Sequence, residues 1–246
     1  MIKLKSYAAQ THQGPHLSVN EDDIDIDLSN KLYLLLDGFG GAGIGDKATK
    51  ESKETIKTFY TRISSDPDST LPFFYSYKYL IEGNALINAF HCSHSKILKT
   101  NSSLEMSQRG GCSVLGVAQS ENVLSFVSTG NCVAYLLRNG SIATVCVPDI
   151  LGSMQEIETS NTFQSFPLSG IGLFPDLYLT TKEVKVQSGD LIILMTDGIY
   201  CRTSPKEVRA LVEQNDIPFN KKISELFNIA NTRGNLDNQS AILLKY

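Results

Sequence analysis

The sequence predicts an α+β fold in which antiparallel sheets are covered by pairs of helices. Three observations lead there. Short apolar or alternating runs follow one another in hairpin-like succession. Helical periodicity occurs twice, each time as two adjacent segments. The strict strand–helix alternation of a parallel sheet is missing. The 246 residues are 41% hydrophobic and 20% charged, enough to bury a sizeable core without disulfide staples. No repeat or linker interrupts the chain, so residues 1–246 are expected to form a single domain.

Taken in order, Ile2 to Ala9 reads as an edge strand. From Asp22 to Leu28 isoleucine alternates with aspartate, the period of a strand with one wet face, and Asp23, Asp25 and Asp27 are expected on that solvated face. Leu32–Leu36 is continuously apolar, as in a strand covered on both sides. Residues 44–63 carry Ile44, Ala48, Ile56, Phe59, Tyr60 and Ile63 at helical spacing. A turn region with two prolines follows. A second helix is expected over Phe73 to Leu98, with Tyr77, Leu80, Ile81, Leu86, Ile87 and Phe90 inward, antiparallel to the first.

Strands come next at 112–118, 123–128 and 132–138. Asn139-Gly140 then stands between two apolar runs, the strongest short-range hairpin signal. Residues 148–176 hold three of the eight prolines and read as an irregular excursion. Further strands are expected near 178–186 and 191–196. Ser204-Pro205-Lys206-Glu207 combines a capping box with proline at the first helical position, so a helix starts there. Another helix covers 220–231, and Gln239 to Tyr246 closes the chain as a strand.

Charge and composition exclude several classes of function. The net charge of −4 leaves no basic excess for nucleic acid or an anionic membrane. No apolar run exceeds six residues, against roughly 20 for a spanning helix, and no secretory signal is visible. Cys92, Cys112, Cys132, Cys146 and Cys201 are scattered and odd in number, as expected of reduced cysteines in a cytoplasmic protein.

Both Asp-Gly dipeptides stand in one context. Leu32–Leu36 runs into Asp37-Gly38, and Leu191–Thr196 runs into Asp197-Gly198, each with a helix rather than a partner strand after it. A carboxylate at the end of a rigid strand suits a hard cation such as Mg²⁺ or Mn²⁺, and the backbone carbonyl of a glycine can approach one too. Glu21-Asp22 precedes a strand, as does Asp237-Asn238, so four acidic points could converge. A plain turn remains the alternative at each Asp-Gly.

Gly38-Phe39-Gly40-Gly41-Ala42-Gly43 also matches the dinucleotide fingerprint. However, Asp37 would repel a pyrophosphate, and a second helix follows where that motif needs a strand. A P-loop fails because Asp46 replaces its lysine. His91 and His94 share a helix face but lack a third ligand for zinc. No Gly-x-Ser-x-Gly elbow is present, and neither His12 nor His16 has the partners of a nucleophilic site.

Asn20-Glu21-Asp22, Asp37-Gly38-Phe39-Gly40-Gly41, Gly111-Cys112-Ser113, Gly130-Asn131-Cys132, Thr196-Asp197-Gly198 and Asp237-Asn238 occur in this order. Together they resemble the motifs of the metal-dependent protein serine/threonine phosphatases of type 2C, over residues 7 to 246. The resemblance implies a four-layer α-β-β-α sandwich: two antiparallel sheets with a helix pair on each outer face and two Mn²⁺ or Mg²⁺ ions at one end. Asp37 matches the carboxylate that bridges both ions and Gly38 the carbonyl ligand. Glu21 and Asp22 match the acidic pair at the second ion, and Asp197 and Asp237 the remaining ligands of the first. Asn238 matches a neighbour that supports substrate phosphate and ligands.

The sequence departs from that pattern at four places. Leu17 stands where the family has an arginine that grips phosphate, with His16 the nearest replacement. Asn131 stands where an aspartate helps hold a third metal. Phe39 replaces a histidine or methionine. The segment at 147–176 lacks the usual flap pattern. The function so implied is hydrolysis of phosphoserine and phosphothreonine in a protein substrate by a metal-activated water. It would oppose a serine/threonine kinase, in the cytoplasm and as a monomer. The alternative is a phosphatase-fold binding or regulatory protein with little turnover.

Overall fold

The computed structural model describes residues 2–40, 43–66, 70–152 and 165–246. Alternation along one buried strand sets the order of the layers. In β3 (Leu32–Phe39), Leu32, Leu34 and Leu36 face helices, whereas Tyr33 and Leu35 face a second sheet. A strand that is apolar on both sides has to be covered twice.

Its sheet has the order β2-β3-β4-β5-β8, with β2 Asp23–Asp27, β4 Gly111–Ser120, β5 Val123–Thr129 and β8 Thr180–Lys185. The other sheet is β1-β10-β9-β6-β7, with β1 Ser6–His12, β6 Val133–Arg138, β7 Ser141–Cys146, β9 Leu191–Met195 and β10 Gln239–Lys245. All pairings are antiparallel. Between the sheets, Tyr33, Leu115 and Phe126 pack against Ala134, Ile192 and Ile242.

Helices α1 (Ile44–Ser65) and α2 (Ile81–Ser102) cover the first sheet. The short α3 (Asp197–Tyr200), α4 (Pro205–Val212) and α5 (Phe219–Thr232) cover the second. This is the four-layer sandwich that the motifs imply. The capping box is formed: the Ser204 hydroxyl accepts from Glu207 N–H at 3.4 Å, and Glu207 Oε2 accepts from Ser204 N–H at 2.9 Å. Asn139 and Gly140 both take positive φ, at 50° and 71°, as the β6–β7 hairpin requires.

Four expectations are corrected. The first strand begins at Ser6 rather than Ile2, although it is an edge strand. The second helix begins at Ile81, not Phe73. Two buried asparagines of α2 claim the preceding backbone: Asn88 Oδ1 accepts from Phe73 and Phe74 N–H, and Asn84 accepts from Ser76 N–H while donating to the Tyr79 and Leu80 carbonyls. Those groups are lost to a helix, and Tyr77 ends 85% exposed instead of inward.

The aspartates of β2 do not form a solvated face either. Asp23 and Asp25 turn toward α1 and pair with Lys53 at 2.6 Å and Lys57 at 3.0 Å, while Asp27 binds Asn30. Finally, β3 does not stop before Asp37 but continues to Phe39, because β4 pairs with it residue by residue as far as Gly111. Within the irregular 147–176 stretch, residues 153–164 lie outside the described residues. Bridges Ile150–Pro167 and Cys112–Ile171 mark its flanks.

Candidate active site

The register of β3 sets Asp37 opposite Ser113 of β4 and in phase with Tyr33 and Leu35, so its side chain points between the sheets. Asp22 is likewise in phase with Ile24 and Ile26, which pack against the same inter-sheet core. Asp197 opens α3 directly after β9, and Asp237 lies two residues before β10, the neighbour of β9. The structure therefore gathers Asp22, Asp37, Asp197 and Asp237 at one end of the sandwich.

Their electrostatics follow from that placement. Burial, then the neighbouring Asp197, Asp22 and Asp237, push Asp37 well above the usual carboxylate range. Burial, then Asp237 and Asp22, do the same to Asp197. Asp22 is raised chiefly by burial, against hydrogen bonds from Ser240 and from Thr196, whose hydroxyl donates to Asp22 Oδ2 at 3.0 Å. Asp237 stands at the exposed rim. Among the leading influences on these acids there is no lysine or arginine.

The other expected residues are distributed around this cluster. Asn131 is buried, and its amide donates to Asp197 Oδ2 at 3.1 Å. Its backbone N–H donates to Ser113 Oγ, and its carbonyl accepts from Tyr200 at 2.6 Å. Glu21 is turned aside: Oε1 accepts from Gly43 N–H at 2.6 Å, at the start of α1. A Cβ on Gly38 would lie 2.6 Å from the Glu21 carbonyl oxygen and 2.8 Å from Gly45, so only glycine lets these three segments meet.

Asn238 uses its whole amide inside the protein. Oδ1 accepts from Glu21 N–H at 2.8 Å, and Nδ2 donates to the Gln13 and Val19 carbonyls at 2.9 and 3.1 Å. Its place is thus beneath the 13–21 loop rather than at a phosphate. That loop leaves His16 exposed, with no hydrogen bond or ion pair among the described residues, and Leu17 40% exposed. Gly41 of the glycine run lies outside the described residues.

His94 has both ring nitrogens occupied, by Gly172 N–H at 3.1 Å and the Pro175 carbonyl at 3.3 Å, and His91 stacks on Phe73. Thr196, Ser240, Ser113 and Tyr200 were not expected at the site. Only Ser113 and Thr196 stood inside a recognised motif.

No three His, Cys, Asp or Glu side chains among the described residues form a ready-made metal cage. The donor chemistry nevertheless suits hard divalent cations. The four carboxylates repel one another, and Asp37 Oδ2 and Asn131 Oδ1 are buried without a hydrogen-bond partner among the described residues. Such oxygens match Mg²⁺ or Mn²⁺ and not the softer metals. Buried acceptors left unpaired are costly, and a cation is one group that relieves both costs.

Models of known families give no match to this sequence, and neither does a search of curated proteins. Solved structures do match. One is PppA, described as a key regulatory component of T6SS in Pseudomonas aeruginosa, at 21% identity, 98% of each chain and a TM-score of 0.78. Another is the serine/threonine phosphatase PstP/Ppp of Mycobacterium tuberculosis, at 19% identity, 98% of this chain, 97% of that chain and a TM-score of 0.79. A third is the catalytic domain of the serine/threonine protein phosphatase PstP in complex with two manganese ions, at 20% identity, 98% and 97% coverage and a TM-score of 0.75.

The chain has the type 2C phosphatase fold. In that fold, the end of the sandwich that gathers the four aspartates is also where the corresponding motifs were expected to meet. At these identities the likeness extends to the architecture, and activity has to be argued from the residues.

Proposed function

We propose that this type 2C phosphatase-like chain hydrolyses phosphoserine and phosphothreonine in a protein substrate, opposing a serine/threonine kinase. The observation that carries the reading is the cluster of Asp22, Asp37, Asp197 and Asp237, which raise one another's proton affinity at one end of the sandwich, with Asp237 at its exposed rim. Asp22, Asp37, Asp197 and Asp237 would together hold two divalent cations, Mn²⁺ or Mg²⁺, with Asp37 the carboxylate that the resemblance gives to both. The Gly38 carbonyl would be a further ligand. Such ions lower the pKa of bound water toward about 7 and offset phosphoryl charge.

The chain's own residues orient this centre. Thr196 and Ser240 fix the Asp22 carboxylate. Asn131 fixes Asp197. Asn238 anchors the loop that carries Leu17 and Glu21, and Glu21 pins that loop to the start of α1. Burial, then Asp37, Asp22 and Asp197, push the nearby Cys132 thiol well up, so it stays protonated and unsuited to attack. The unpaired cysteines support a cytoplasmic location.

Two features favour the second reading, a phosphatase-fold regulator with little turnover. Asn131 places a neutral amide on Asp197 where the resemblance expects a carboxylate, and Leu17 offers phosphate no donor. The deciding experiment follows p-nitrophenyl phosphate hydrolysis with Mn²⁺ and with EDTA, beside Mn²⁺ binding by calorimetry. Mn²⁺-dependent release of p-nitrophenol supports the enzyme. Binding without turnover selects the regulator, and no binding with no turnover overturns the metal assignment.

A further inference from the structure

Beside the aspartate cluster lies a second feature that the catalytic reading does not use. Phe39 is in phase with Asp37 on β3, two residues further on and so about 7 Å along the strand. Its ring rests on Gly111 and Gly170: a Cβ at either would come within 2.6 or 2.9 Å of it. From there a cleft of about 680 Å³ opens between Leu98 of α2, Met106, Leu173 and Phe174, with Arg109 also lining it. That volume is within the range of roughly 300–1,000 Å³ typical of ligand pockets.

The cleft is held open by buried polar side chains. Asn101 donates to the Gly110 and Gly172 carbonyls at 2.8 and 3.1 Å, tying opposite walls together, and His94 accepts from Gly172 N–H. Met106 is 79% and Phe174 49% exposed, so this wall presents apolar surface to solvent. Arg109, exposed and basic in a chain of net charge −4, complements an anionic segment.

We propose that this cleft receives an apolar side chain, aromatic or large aliphatic, of the phosphorylated substrate, within about three residues of the phosphoserine or phosphothreonine. The proposal deepens the phosphatase reading and rests on it. The occupant is the substrate itself because Phe39, which walls the cleft, and Asp37 of the cluster share one strand about 7 Å apart, and an extended peptide spans that separation in two to three residues at about 3.3 Å each. Phe39 thus separates chemistry from recognition. It stands where the resemblance expects histidine or methionine, and here it supplies the inner wall of the apolar subsite.

The test uses the whole chain with Mn²⁺ and phosphothreonine peptides in which a single phenylalanine is walked from three residues before to three after the phosphothreonine. An all-glycine peptide and p-nitrophenyl phosphate serve as references. One phenylalanine position is expected to raise kcat/KM by about tenfold over glycine. Met106→Asp with Phe174→Asp, both at exposed positions, should abolish that gain and leave p-nitrophenyl phosphate turnover unchanged.

Equal kcat/KM along the series, with p-nitrophenyl phosphate still hydrolysed, overturns the subsite and spares the phosphatase reading. The subsite is equally overturned if the double variant slows p-nitrophenyl phosphate and all peptides alike. If nothing is hydrolysed, the phosphatase reading falls. Fluorescence anisotropy with the same labelled peptides then decides the cleft: a phenylalanine preference of about tenfold that the double variant removes sustains it, and equal binding overturns it.

Discussion

Asp23 and Asp25 of β2 each meet a lysine of α1, whereas Asp22, one residue earlier, meets Thr196, Ser240 and three more aspartates. The difference is a matter of strand phase. Asp23 and Asp25 face the helices with their cations. Asp22 shares the phase of Ile24 and Ile26 and points between the sheets, where β3, β9 and β10 bring acids of their own. Adjacent carboxylates of identical chemistry thus become, in one case, an ordinary partly buried ion pair and, in the other, a cluster that calls for an added cation.

Neutralising one member of each set gives the largest contrast. Asp37→Asn should lower Mn²⁺-dependent hydrolysis by at least about 100-fold, because cation stabilisation of phosphoryl charge is worth several kcal/mol. In EDTA the same substitution relieves repulsion and should raise Tm by about 3–6 °C, given about 2–4 °C per kcal/mol for a chain of this size. Asp23→Asn, which breaks a pair with Lys53, should lower Tm slightly in the same buffer. A Tm for Asp37→Asn at or below wild type without metal would falsify the repulsive cluster.

Asn131→Asp sharpens the contrast from the other side. It replaces the donor to Asp197 by a fifth acid, so in EDTA the variant should lose about 1–3 kcal/mol, read from its urea midpoint. Mn²⁺ should restore most of that loss. An unchanged midpoint would leave Asn131 as a residue of the turn alone, held by Ser113 and Tyr200.

Leu17→Arg introduces a cation on the loop that Asn238 pins beside Asp237. Since arginine donates two parallel bonds to a phosphate, KM for p-nitrophenyl phosphate should fall about tenfold, or about 1.4 kcal/mol. If steady-state kinetics give an unchanged KM with the fold intact, another group already grips the phosphate.

The smallest effect is expected at a carboxylate of the paired kind. The Arg233 guanidinium, at the end of α5, holds Glu207 down to about 2 against partial desolvation, with help from Ser204. A lowered folded-state pKa contributes stability above the unfolded value near 4.5, and that contribution is lost as pH falls toward 2. Both side chains are about two-fifths exposed, so screening keeps the contribution small. Glu207→Gln should therefore be slightly less stable than wild type at pH 7, with the gap closing between pH 4.5 and 2. A gap independent of pH in thermal melts assigns the loss to the helix cap instead.

Much of this was legible in the chain itself. The doubly covered strand at Leu32–Leu36, the Asn139-Gly140 hairpin and the capping box at Ser204 are local, and local steric and hydrogen-bonding rules decide them wherever the segment sits. The same holds for the order of the acidic motifs. Where α2 starts was not legible, because Asn84 and Asn88 compete for backbone groups in the segment before the helix. Nor was the division of labour among the acids: Glu21 to the α1 terminus, Asn238 to a loop, Asn131 to Asp197. Those partners lie up to 225 residues apart. Sequence sets which face of its own strand a side chain occupies. Only the packing of two sheets and their helices decides which charge waits on the other side, because Coulomb and hydrogen-bond energies depend on distance in space and not along the chain.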